Sequence, residues 1–109
     1  MRFFVTGLGF DSGGGLTVGH SLVRALERVD AENDYLIVLP EKCGYESIPQ
    51  RDRFRIRLAR VRPKLLRRPW LDHVWLPAIC RRFQADVAFT MCNYGPVRLS
   101  CPHVLGLHN

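Results

Sequence analysis

The chain has 109 residues, 47% of them hydrophobic and 24% charged, with a formal net charge of +6. That profile fits one soluble globular domain and excludes both a disordered tail and two independent lobes with a cleft between them. The four cysteines, Cys43, Cys80, Cys92 and Cys101, form no Cys-x-x-Cys pair and read as reduced structural thiols.

The charge is unevenly spread. Residues 51–82 hold eleven Arg or Lys against two Asp, a surplus of nine, whereas the remainder has five basic residues against eight acidic ones. No run approaches the roughly 18 apolar residues of a membrane span, and the opening apolar run Phe3–Val5 is too short for a signal peptide. The expected location is therefore the cytoplasm, with peripheral attachment at the inner face of the membrane as a further option.

In chain order, Phe3-Phe4-Val5 predicts a first buried strand running into the glycine-rich segment 7–15. Val18, Leu22, Val23, Leu26 and Val29 recur at helical spacing and predict a helix with those residues on its buried face. Tyr35–Leu39 predicts a second strand stopped by Pro40, and residues 41–52 have loop composition. Phe54, Ile56 and Leu58 alternate with Arg53, Arg55 and Arg57, the period of a strand with one buried face, so these arginines need no ligand to explain them.

Farther on, Trp70, Leu71, Val74, Trp75, Ala78, Ile79 and Phe83 trace a helical face interrupted by Pro77, which predicts a kink or two short helices, the second starting near Pro77. Asp86–Thr90 reads as a fourth strand and His103–Leu107 as a fifth. Alternating strands and helices predict an α/β, Rossmann-like three-layer domain with a mostly parallel sheet of about five strands.

Two features carry candidate chemistry. Gly13, Gly14 and Gly15 stand where the first strand hands over to the first helix, the crevice edge at which parallel sheets bind ligands. The segment matches neither Gly-x-Gly-x-x-Gly nor the Gly-Lys-Ser/Thr phosphate loop, and tight turning alone would also explain it. His108 lies at the same edge, beyond the fifth strand, with Thr90 to Asn93 nearby. No residues have metal-ligand spacing, and no Ser/His/Asp or Cys/His pairing can be defended.

The basic segment has three readings: nucleic-acid backbone binding, contact with an anionic membrane, or a solvated arginine-rich face. No nucleic-acid motif accompanies it. Around Arg67 and Arg68, cations mix with Leu65, Leu66, Trp70 and Leu71, the composition of a peripheral membrane contact.

The segment from Gly7 to Thr17, the long helix, Leu76-Pro77 ahead of Ala85-Asp86-Val87, Asn93-Tyr94-Gly95-Pro96 and the closing Leu107-His108-Asn109 resemble the amino-terminal domain of family 4 glycosyltransferases. The resemblance spans essentially the whole chain and rests on the order of short motifs. It implies one lobe of a GT-B fold and retaining transfer of a sugar from a nucleotide-sugar without an essential metal or other cofactor. The acceptor would be a cell-envelope glycan or lipid-linked saccharide.

It further implies that Gly13, Gly14 and Gly15 approach the donor diphosphate, that His108 faces the transferred sugar, and that Asn93 and Thr17 line the acceptor side. The family's carboxyl-terminal domain, which holds most of the donor-binding residues, is missing from the 109 residues. Residues 1–109 are therefore expected to be one incomplete amino-terminal domain, inactive by itself and partnered by that second domain in cis or in trans. The alternative is a non-catalytic Rossmann-like module that recruits a partner or membrane through its basic segment.

Overall fold

The computed structural model describes residues 1–8, 13–29, 32–60, 69–90 and 102–105. Its first strand, β1 (Arg2–Thr6), precedes the 17-residue helix α1 (Gly13–Val29), which returns the chain to β2 (Asp34–Pro40). A 3₁₀ turn (Tyr45–Ser47) separates β2 from β3 (Phe54–Ala59). A π-helical turn (Leu71–Trp75) then runs into α2 (Leu76–Phe83), followed by β4 (Val87–Thr90) and β5 (His103–Leu105).

The strands assemble in the order β3-β2-β1-β4-β5, and every neighbouring pair is parallel. Strands β1 to β4, of four to seven residues, form the body of the sheet. The three-residue β5 pairs with β4 at one edge, and the last two residues of the expected fifth strand lie outside the described ones. Successive strands step outward from β1 to β3, and the chain then crosses back to lay β4 on the other side of β1. The order therefore reverses between β1 and β4, the topological switch point of an open parallel sheet.

Side-chain alternation gives the sheet two buried faces. On the α1 face, Val5, Ile37, Leu39 and Phe54 pack with Val23 of the helix and with Tyr45 and Ile48 from the segment after β2. On the other face, Phe4, Val38, Ala59 and Ala88 pack with Leu71, Leu76, Ile79, Cys80 and Phe83. Each fully buried side chain of this kind contributes about 1.5–3 kcal/mol relative to exposure. Helices on opposite faces satisfy the requirement of a parallel sheet for cover on both sides.

Two expectations need correction. Leu22, read as part of the buried face of α1, is 41% exposed, whereas the expected Val18 and Leu26, together with Leu16, are partly buried against the core beside Val23. Residues 41–52 are more than a loop, because the 3₁₀ turn seats Tyr45 in the α1-face core with no exposed surface. The expected division near Pro77 is present, as a change from π-helical turn to α-helix at Leu76 within helical backbone that continues from residue 69 to residue 83. The Leu76 N–H donates to the Leu71 carbonyl, five residues back, and Pro77 falls in the first turn of α2, where its missing N–H is tolerated.

Candidate functional site

At the switch point, β1 and β4 end side by side at Thr6 and Thr90. Both threonines are buried, and the Thr6 hydroxyl donates to Thr90 Oγ1 at 3.2 Å. The ladder extends one residue further, since the Gly7 N–H donates to the Val38 carbonyl at 2.9 Å, and Leu8 anchors the exit from β1 in the α2-face core. Residues 9–12 lie outside the described ones.

Helix α1 then starts on Gly13, so Gly13, Gly14 and Gly15 form its first turn, with no acidic residue in that turn. Residues at this position leave backbone N–H groups without intrahelical partners, and the helix dipole makes that end favourable to negative charge. Thr17, the next sequence candidate, is exposed at the start of the second turn. The remaining sequence candidates, His108, Asn93, Arg67 and Arg68, lie outside the described residues.

The other histidines have different surroundings. His20, on α1, donates from Nε2 to the Cys43 carbonyl at 2.9 Å and stacks on Tyr45 with ring centroids 4.3 Å apart. His73 is exposed in the π-helical turn, and His103 opens β5. Among the described residues, no group of three or more His, Cys, Asp or Glu could hold a metal ion. No helix among them is long and apolar enough to cross a membrane.

The basic segment divides in a way its sequence does not reveal. Arg51 pairs with Glu27 of α1 at 2.8 Å, and Arg53 reaches Asp34 at 3.9 Å and the Glu32 carbonyl at 3.1 Å. Arg55 and Arg57, farther along β3, instead reach the face of the sheet that carries α2, where α2 leaves part of it uncovered. Both are exposed and lie over aromatic rings, Arg55 at 5.6 Å from Phe83 and Arg57 at 5.3 Å from Trp75. The pairing partners come from α1 and β2, so strand periodicity alone could not have separated the two groups.

The chain matches no family model, no curated protein and no solved structure.

Proposed function

We propose that this chain is the Rossmann-like, acceptor-side domain of a retaining, GT-B type glycosyltransferase. In this reading it works with a carboxyl-terminal donor-binding domain, supplied in cis or in trans, to move a sugar from a nucleotide-sugar to a glycan or lipid-linked acceptor. The observation that carries the reading is the glycine triplet opening α1 beside the strand-order reversal between β1 and β4. Doubly wound sheets bind ligands in that crevice, and glycine lets a ligand approach the backbone closely.

The chemistry follows from charge. As the glycosidic bond to the donor breaks, negative charge builds on the departing diphosphate. Amides fixed at the start of α1 offset that charge without reorganising, which is the preorganised electrostatic stabilisation that often dominates catalysis. His108 hydrogen-bonds the transferred sugar and orients it, and Asn93 and Thr17 contact the acceptor. The reaction as proposed needs no metal or other cofactor.

The test joins the chain to a compatible donor-binding domain and measures hydrolysis and transfer across a panel of nucleotide-sugars. The expected result is turnover that His108→Ala lowers by about 100-fold, the scale of losing one transition-state hydrogen-bond donor. Absence of turnover with every donor overturns the enzyme reading, and unchanged turnover in the variant overturns the role of His108.

A second reading, peripheral attachment to an anionic membrane, is favoured by Trp70 and Val74, which are 46% and 54% exposed in the helical stretch within the basic segment. Charge reversal at Arg67 and Arg68 should then weaken flotation with anionic liposomes. Equal flotation of wild type and variant counts against it.

A further inference from the structure

The face of the sheet that carries α2 holds a groove of about 270 Å³, separate from the glycine crevice. Arg55 and Arg57 of β3 form one wall and Arg82 of α2 the other, over a floor that includes Leu36, Ile79 and Phe83. Arg2 closes the end nearest the start of β1.

The arginines are not equivalent. Arg2 is occupied, donating from Nε to the Phe83 carbonyl at 2.7 Å and pairing with Asp34 at 3.3 Å. Asp34 also serves Arg53, at 3.9 Å. Among the described residues, no carboxylate pairs with Arg55, Arg57 or Arg82.

Arg55 and Arg57 are two residues apart on one strand face, which separates their Cα atoms by about 6.6 Å. Their guanidinium groups lie over Phe83 and Trp75, an arrangement that restrains each head while leaving its edge donors for a partner. Three cations with no carboxylate partner among the described residues, around a partly apolar floor, favour an anion of more than one charge, and guanidinium forks match phosphate oxygens bidentately.

We infer that this groove is a second anion site, which takes a phosphate-bearing ligand of at least two negative charges through Arg55, Arg57 and Arg82. Its volume lies just below the usual range of small-molecule sites, about 300–1,000 Å³. It therefore suits a short oligophosphate or a phosphorylated lipid headgroup and is too small for a whole nucleotide-sugar. The shared chemistry is the phosphate dianion, and the experiment separates its sources.

The chain is titrated at constant physiological ionic strength with inorganic triphosphate, with citrate, and with vesicles of phosphatidylcholine containing or lacking phosphatidylinositol 4-phosphate, whose headgroup carries a phosphomonoester. Tryptophan emission is followed because Trp75 lies against Arg57. Saturable binding of triphosphate, weaker by at least about tenfold in Arg55→Gln/Arg57→Gln, is expected for a soluble ligand. Binding confined to the anionic vesicles with the same dependence on the two arginines assigns the site to a lipid headgroup.

Arg24→Gln/Arg28→Gln, which removes the same charge from exposed positions on α1, should bind like wild type. If the β3 variant fails to fold by circular dichroism, Arg82→Gln replaces it, with a loss of affinity expected again. The inference is overturned by the absence of binding to triphosphate and anionic vesicles, by equal losses in the α1 control, or by citrate binding as tightly as triphosphate.

Discussion

The hydroxyls of Thr6 and Thr90 meet at 3.2 Å in the interior, joining the ends of β1 and β4 where the strand order reverses. Two strands separated by most of the chain are thereby held level at the rim of the proposed diphosphate crevice. Thr6→Val keeps the shape of the side chain and removes its hydroxyl, so it should destabilise by about 1 kcal/mol in urea unfolding. A double-mutant cycle with Thr90→Val should give a coupling of about 0.5–1.5 kcal/mol. Additive effects would mean that the hydroxyl contact contributes nothing of its own.

His20, Gly44 and Tyr45 form a second tie, between α1 and the segment after β2. The His20 ring stacks on buried Tyr45 and donates to the Cys43 carbonyl, so His20→Ala should cost about 1–2 kcal/mol from stacking and hydrogen bonding together. Gly44 has φ +83°, and a Cβ there would meet the His20 ring at 3.5 Å, an ordinary contact. Gly44→Ala should therefore cost about 1–2 kcal/mol through its backbone conformation alone, and the cost should persist in the His20→Ala background. Thermal melts of the three variants decide this, and relief of the penalty in the double variant would point to crowding instead.

The segment around Tyr45 illustrates where sequence reading stops. Short apolar runs marked β1 to β4 because a buried parallel strand needs both faces apolar, and Arg55 and Arg57 alternated visibly with Phe54 and Ile56. The 3₁₀ turn at Tyr45 left no periodic trace, since three residues of turn beside a glycine look like any loop. Leu22 shares the helical spacing of Val18, Val23 and Leu26, and spacing allows more than one apolar stripe, so it does not say which of them the sheet covers. At the candidate site, the glycine triplet was legible because a strand-to-helix junction favours it. The Thr6–Thr90 contact was not, because strand order cannot be read from one sequence.

Arg2 ties the end of α2 to the sheet. Its guanidinium donates to the Phe83 carbonyl at 2.7 Å and lies 4.3 Å from the Phe83 ring, while its backbone N–H donates to the Asp86 carboxylate at 2.8 Å. The Phe83 carbonyl belongs to the last turn of α2, where no intrahelical donor remains. Arg2→Ala should therefore cost about 1.5–3 kcal/mol, the value of a hydrogen bond involving a charged group. The Arg2–Asp34 pair is partly exposed, so Asp34→Asn should cost less than about 1 kcal/mol and fade as salt is added. Urea midpoints at low and high salt test both statements, and equal salt dependence in the two variants would make the ion pair the dominant contact.

Arg51 grips the other end of the sheet from two directions. One guanidinium nitrogen donates to the Glu27 carboxylate at 2.8 Å and another to the Glu27 backbone carbonyl at 3.0 Å, so β3 is held to the last turn of α1. Phe54, with the Arg51 guanidinium 5.5 Å from its ring, bonds to Arg51 in both directions through the backbone, which fixes where the arginine leaves the chain. Glu27→Gln removes the charge and leaves the carbonyl bond, so its expected cost is below about 1 kcal/mol. Arg51→Lys cannot span both acceptors with one ammonium, and its expected loss is about 1–2 kcal/mol, close to that of Arg51→Ala. Chemical unfolding of the three variants should rank them in that order. A lysine variant as stable as wild type would show that charge alone, without the planar fork, holds β3 against α1.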